Sequence, residues 1–261
     1  MQAAVAFLFA AFSALAFAQS APLTAQNASA PFEPHSGQPG KDVVWVPTSQ
    51  ALVDKMLDMA KVTPKDFVMD LGSGDGRTVI TAAKRGARAQ GIEYNPDMVE
   101  LSKRNAEKEG VAGKATFVKA DLFETDFSQA SVITMFLLPT INLKLRPKIL
   151  ALKPGTRIVS NTFTMDDWEP DEKATLSYDA GCTTSWCTAL LWIVPAQVAG
   201  TYKLPQGELS IRQQFQEIAG TLSKEGKTFV IAGKVVGEEL YFTAGGRAYH
   251  GRMNGKQLEL R

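Results

Sequence analysis

The octapeptide Asp70-Leu71-Gly72-Ser73-Gly74-Asp75-Gly76-Arg77 carries the densest chemical signal in the sequence. It joins residues 66–70, a short buried-strand candidate, to residues 78–85, whose pattern is helical. Glycines at such a junction let the backbone turn tightly and approach a ligand closely. The helix that follows presents unpaired N–H groups to a carboxylate. Glu93 ends the next strand candidate, where an acidic side chain can accept hydrogen bonds from two ribose hydroxyls. Asp121, at the end of the third, is placed to take the amino group of an adenine. These three strand ends would line the crevice in which open parallel sheets bind ligands. Dinucleotide sites use similar parts, but their fingerprint is G-x-G-x-x-G. Counted from Gly72 and Gly74, its third glycine would fall on Arg77, and Asp75 would repel a pyrophosphate. Hydride transfer is the poorer match.

The elements that must position these residues follow from periodicity. Residues 49–60 carry apolar side chains at Leu52, Val53, Met56, Leu57 and Ala60, a helical stripe. Asn95 and Pro96 cap and open a helix that runs to about Glu109 and stops at Gly110. Residues 115–119, 132–138 and 157–160 read as the third, fourth and fifth strands. Residues 142–152 are helical in pattern, with Pro147 as a kink or break. Strands alternating with helices imply a parallel sheet covered on both faces. From about Gly200 the texture changes to short alternating stretches separated by Gly, Lys and Asn, a β-meander with one buried face. The expected class is α/β: a Rossmann-like parallel-sheet domain over residues 41–198 and a small β-rich module of unknown role over 199–261.

The phrases Val46-Pro47-Thr48, Asp70 to Arg77, Phe136-Leu137-Leu138-Pro139, Leu145-Arg146-Pro147-Lys148 and Lys153-Pro154-Gly155-Thr156 stand together in this order. Residues 46–172 thereby resemble class I S-adenosylmethionine-dependent methyltransferases. They are most similar to the archaeal protein lysine methyltransferases and the mitochondrial enzymes that modify the c-ring protein of ATP synthase. Ser160-Asn161-Thr162-Phe163, Trp168 and Pro170 extend the likeness. The resemblance implies S-adenosyl-L-methionine as cofactor, with Asp70, Gly72, Ser73, Gly74 and Gly76 forming its loop. Glu93 would hold the ribose, Asp121 the adenine with Leu122 beside the ring, and Pro47 and Thr48 would close over the cofactor. Phe136, Leu137, Leu138 and Pro139 would form the wall where the acceptor enters. Nucleobase amine methyltransferases often carry Asn/Asp-Pro-Pro-aromatic at that place, so Phe-Leu-Leu-Pro argues against that substrate class. A protein lysine is the expected acceptor, and a small molecule is the alternative. No general base is identified, since Asp75 and Asn161 suit holding the cofactor or capping a turn. Trp45 and Trp168 are candidates for the flanks of the acceptor cleft, or for packing.

The totals agree with a globular enzyme. Lys and Arg number 28 against 27 Asp and Glu, with no basic run, so nucleic acid is not the expected partner. Residues 3–18 are almost wholly apolar and end in Ala16-Phe17-Ala18, the small-x-small form of a signal-peptidase site. The run is short for a membrane span, which needs about 20 residues. The first basic residue is Lys41, so the positive start of a signal is missing and a start upstream of Met1 would account for that. Residues 1–18 are expected to direct export to the periplasm or outside, with residues 19–40 as a linker. The alternative is anchoring by an uncleaved N-terminus. Because S-adenosylmethionine is made in the cytoplasm, an exported binding module without turnover is a third reading. Cys182 and Cys187 could close a hairpin loop or remain thiols. With only His35 and His250 as further N/S ligands, zinc is not expected.

Overall fold

A computed structural model describes residues 32–261. The expected export signal at 1–18 and the linker residues 19–31 lie outside the described residues. Helix α1, Gln50–Met59, starts on Ser49, whose hydroxyl accepts from the Leu52 N–H. There follow β1 (Phe67–Leu71), α2 (Arg77–Lys84), β2 (Arg88–Glu93), α3 (Pro96–Lys108), β3 (Ala115–Lys119) and β4 (Val132–Met135). Helix α4 (Pro139–Leu150), β5 (Arg157–Asn161), β6 (Glu172–Thr175) and β7 (Thr188–Ile193) complete the α/β part. Its strands lie in the order β3-β2-β1-β4-β5-β7-β6. Only β7 runs against its neighbours.

Alternation along each strand builds two cores, one on each face of the sheet. Val68, Val132, Val159 and Leu191 join the core under α1, α2 and α3. Their chain neighbours Met69, Ile133, Ile158 and Leu190 join the other, with Ile141, Leu145 and Ile149 of α4 and the indoles of Trp168 and Trp192. This is why these strands read as continuous apolar runs. The fourth strand is shorter than its apolar run, which extends to Leu138. Met135 pairs with Leu71 on one side and Ser160 on the other. Beyond it β1 has already turned at Gly72, so residues 136–138 leave the sheet. Pro139 then opens α4 in its first turn, where a missing N–H costs nothing, earlier than the periodicity indicates.

The remaining strands are β8 (Gly200–Leu204), β9 (Gly207–Gln214), β10 (Glu217–Lys224), β11 (Lys227–Val236), β12 (Glu239–Ala244), β13 (Arg247–Asn254) and β14 (Gln257–Leu260). Each pairs antiparallel with the next, and the end strands β8 and β14 come together. One face of the curled meander buries Leu209, Ile211, Ile218, Leu222, Ile231, Val235 and Leu240 in a third core. The β9–β10 turn fastens this module to the α/β part. Phe215 stacks on Trp168 with ring centroids 5.8 Å apart, and the Gln216 amide donates to the Glu169 carbonyl at 2.8 Å. Phe215→Ala should therefore lower the unfolding free energy by about 2 kcal/mol, less than a fully buried ring because Phe215 is only partly covered. An unchanged melting temperature would show that the module is held elsewhere.

Candidate cofactor and acceptor site

Pro47, Thr48, Asp70, Gly72, Ser73, Gly74, Glu93, Asp121 and Leu122 line one cleft at the carboxyl ends of the central strands. Phe136, Leu137 and Leu138 line it too. Gly76 and Pro139, expected in the same set, do not. Gly76 is the N-cap of α2 with φ 83°, and a Cβ there would meet the Phe117 ring at 2.8 Å and the Ser102 Cβ at 2.9 Å. Its lack of a side chain serves the packing of the loop on α3 and β3. Pro139 is exposed and belongs to the first turn of α4.

The strand ends present carboxylates whose surroundings differ. Glu93 Oε2 accepts from the Gly74 N–H and Oε1 from the Asn95 N–H, each at 2.9 Å. The group is thus fixed in place, and each oxygen keeps a lone pair for a hydroxyl. Asp70 is buried at the base of the cleft, and Thr134 donates to its Oδ1 at 2.6 Å. Burial pushes the Asp70 carboxyl up to about 7; the Thr134 hydrogen bond opposes this, while the nearby Glu93 and Asp75 charges add to it. Asp121 pairs with the Lys41 ammonium and accepts from the Phe123 N–H at 2.9 Å. The Lys41 hydrogen bond, then that backbone N–H, hold the Asp121 carboxyl below the usual carboxylate range. An adenine amino group there would share the carboxylate with Lys41 or displace it. Ser73 turns its side chain onto Gly91, where a Cβ would come within 2.4 Å of the hydroxyl oxygen.

One wall comes from the end of the segment read as linker and the residues after it. Residues 37–45 form a small hairpin through Gly37 N–H to Trp45 carbonyl at 2.8 Å and Trp45 N–H to Gln38 carbonyl at 2.9 Å. Gln38 is buried and donates to the Met98 sulfur at 3.7 Å. Lys41 also lies over the Tyr94 ring, 4.9 Å from its centroid. Gln38, Lys41 and Tyr94 had no local signal in the sequence, because each acts through a partner distant along the chain. Trp45 lies on the glycine loop, so close that a Cβ on Gly74 would reach its Nε1 at 2.4 Å. Arg77 locks the strap down, donating from Nη1 to the Thr48 carbonyl at 2.7 Å and from Nε to Asp75 Oδ1 at 2.9 Å. Asn161 Nδ2 donates to Thr48 Oγ1 at 3.2 Å. Asp75 thus holds Arg77, and Asn161 holds Thr48.

The opposite end of the cleft is aromatic. Phe136 stacks on Phe163 at 5.8 Å between centroids and meets Trp186 edge-on at 6.0 Å. Trp45 does line the cleft. Trp168 does not: it is fully buried against Trp192 and Phe215, and Trp186 takes the flanking place. Cys182 and Cys187 are joined in a disulfide, with Cα atoms 5.8 Å apart, which closes the loop bearing Trp186.

The fold and this cleft have counterparts among known proteins. Residues 70–172 match the family described as the ANTKMT methyltransferase domain. Over 133 residues the chain is 48% identical to a protein-lysine N-methyltransferase of Saccharolobus islandicus, spanning 50% of this chain and 83% of that one. It is 34% identical over 164 residues to the Homo sapiens lysine N-methyltransferase named for the c-ring protein of ATP synthase, spanning 59% of this chain and 70% of that one. An RNA methyltransferase of Salinibacter ruber, solved in complex with S-adenosyl-L-homocysteine, shares 44% identity at a TM-score of 0.54. That likeness covers 59% of this chain and 96% of the other.

Proposed function

This chain belongs to the class I S-adenosylmethionine-dependent methyltransferases, in the family of those lysine N-methyltransferases, and we propose that it methylates a protein lysine side chain. The observation that carries the acceptor class is the 48% identity to the Saccharolobus islandicus protein-lysine enzyme across 83% of that protein. The cofactor is S-adenosyl-L-methionine, whose sulfonium supplies an already activated methyl group. The chain's own work is then to bind, orient and exclude water.

In this reading Glu93 holds the ribose hydroxyls and Asp121 the adenine amino group, with Leu122 against the ring. Gly72 and Gly74 let the backbone pass close to the amino-acid portion, near the buried Asp70. Pro47 and Thr48, pinned by Arg77 and Asn161, close the near side. Phe136, Leu137 and Leu138 form the acceptor wall. A lysine reaches the methyl group only as the neutral amine, although its ordinary pKa is about 10.4. Desolvation against Phe136 and Leu137 favours that form.

Asp70 makes the cofactor step pH-dependent. Its folded-state pKa of about 7 lies above the ordinary 3.8, so its protonated form is favoured in the ligand-free protein at acidic pH. Folding stability is greatest below 3.8 and falls as pH rises towards about 7, because the unfolded chain releases this proton while the folded chain keeps it; above about 7 the loss is complete. A ligand carrying positive charge favours the ionised form, so cofactor affinity should rise as pH approaches about 7 and flatten above it. Calorimetric titrations from pH 5.5 to 8.5 would check this, with Asp70→Asn expected to remove the slope. A slope that survives in Asp70→Asn belongs to another group.

A second acceptor class rests on the Salinibacter ruber relative, named an RNA methyltransferase. Incubating the enzyme with methyl-labelled cofactor and separated protein, RNA and low-mass fractions decides between them. Methyl-lysine in the hydrolysed protein fraction is expected. Label confined to RNA or to small molecules overturns the lysine reading. Cofactor binding without any label transfer would favour a module without turnover. For location, the apolar run at 3–18 and the Cys182–Cys187 disulfide both support export to an oxidising compartment. An uncleaved N-terminal anchor is the alternative, and among the described residues no helix is long and apolar enough to cross a membrane.

A further inference from the structure

The cleft divides along the sheet. Its half over β2 and β3 holds Glu93 and Asp121, the groups suited to an adenosine. Its half over β4, β5 and β7 holds, among the described residues, no ionisable side chain at the wall but three aromatic rings, Phe136, Phe163 and Trp186, each from a different segment. Phe136 follows β4 where the chain leaves the sheet. Phe163 follows β5 through a turn centred on Thr162, a β-branched residue held at φ 61°, where such side chains are strained. The turn is closed by the Phe163 N–H donating to the Asn161 carbonyl at 2.7 Å. It is clamped by the Thr162 N–H donating to the Thr188 carbonyl, also at 2.7 Å. Thr188 is the residue directly after Cys187. The disulfide therefore fixes both the loop that presents Trp186 and the start of the strand that holds the Phe163 turn.

Strain of this kind persists only where surrounding structure over-determines it, and it concentrates at ligand clamps. Here the disulfide, the Thr162–Thr188 bond and the aromatic contacts all converge on one surface at the open end of a cofactor cleft. We propose that Trp186, tethered by the Cys182–Cys187 disulfide, is the specificity-determining residue of the acceptor site, its indole packing with Phe136 and Phe163 along the aliphatic stem of the incoming amine. Its indole supplies large rigid area at low entropic cost, the property that makes Trp a recurrent anchor in recognition. The disulfide keeps that anchor in register with Phe136. Reduction of the bond frees the loop and loosens the acceptor site while leaving the cofactor half intact. The assignment rests on the lysine reading for the chemical class of acceptor, but not for the place where an acceptor binds.

The full chain labelled with 5-fluorotryptophan gives one fluorine signal for each of its four Trp residues. Trp186→Phe identifies the signal of interest. The protein is saturated with S-adenosylhomocysteine and titrated at millimolar concentration with N-acetyl-lysine methylamide, and separately with cytidine. The expected result is a saturable shift of the Trp186 signal by the lysine probe. Trp186→Ala and reduction by a phosphine should each weaken that probe about tenfold, with Trp186→Phe restoring most of the loss. Binding of S-adenosylhomocysteine should stay within twofold throughout, and reduction should have no effect on Cys182→Ser/Cys187→Ser. A Trp186 shift with cytidine alone would uphold the acceptor wall and refute the lysine reading. A Trp186 signal that neither probe moves overturns the assignment, as does probe affinity indifferent to both Trp186→Ala and reduction.

Discussion

Glu93→Ala should weaken S-adenosylhomocysteine binding at least about 100-fold in a calorimetric titration. Hydrogen bonds to a charged group contribute about 1.5–3 kcal/mol each, and a ribose offers two hydroxyls. Every 1.4 kcal/mol is tenfold in affinity, so the loss of both spans about two to four orders of magnitude. The substitution also removes the acceptor of the Gly74 and Asn95 N–H groups, which lets the glycine loop drift from β2. Glu93→Gln separates these effects. Its amide keeps one acceptor oxygen, so its affinity should fall between those of parent and alanine variant. A dissociation constant for Glu93→Ala within threefold of the parent would remove Glu93 from the cofactor site.

Gly74→Ala is the second large effect, and it arises from geometry rather than charge. Gly74 sits at φ 54°, in the left-handed region, which costs a residue with a Cβ roughly 1–2 kcal/mol. The new methyl would also stand 2.4 Å from Trp45 Nε1 and 2.9 Å from its Cδ1, so the indole must move. Trp45 closes the 37–45 hairpin through two backbone hydrogen bonds, and displacing it displaces the near wall. Cofactor affinity should fall about 10- to 100-fold, the conversion of roughly 1.4–2.8 kcal/mol. Adding Trp45→Ala to Gly74→Ala should cost less than the sum of the two single changes, because the clash is then absent. Strict additivity would mean that Trp45 does not pack on the loop in solution. Gly76→Ala is the comparison: its Cβ meets Phe117 and Ser102, so its main loss should be stability.

Where local rules decide, the sequence and the structure agree closely. Asn95 caps α3 with its side chain accepting from the Asp97 N–H at 2.9 Å, and Pro96 opens the helix, as the dipeptide indicates. The third strand occupies the residues its pattern marks, Ala115–Lys119. The octapeptide at Asp70 announces the glycine turn between β1 and α2 because glycine freedom and a strand–helix junction are properties of adjacent residues. Glu93 was legible by the same logic, since its place at a strand end follows from the pattern around it.

What the sequence left undecided all depends on chain segments that meet only in three dimensions. The apolar run ending at Leu138 carries no mark of where β4 stops, because that is set by β1 turning away at Gly72 beside it. Lys41 reaches Asp121 from 80 residues away, and no period or spacing encodes that pair. Trp168 and Trp186 are alike as letters, yet one is walled in by Trp192 and Phe215 while the other is held at the cleft by a disulfide loop. Cys182 and Cys187 could point apart on a strand or together across a turn, and only the path into β7 brings them into bonding reach. The cofactor could be read before the fold, because the phrases that carry the resemblance to methyltransferases, Asp70 to Arg77 above all, are made of adjacent residues. The aromatic end of the cleft emerged only from the tertiary structure, because its walls are assembled from the ends of β4 and β5 and the loop before β7, and their convergence is a property of the packed sheet.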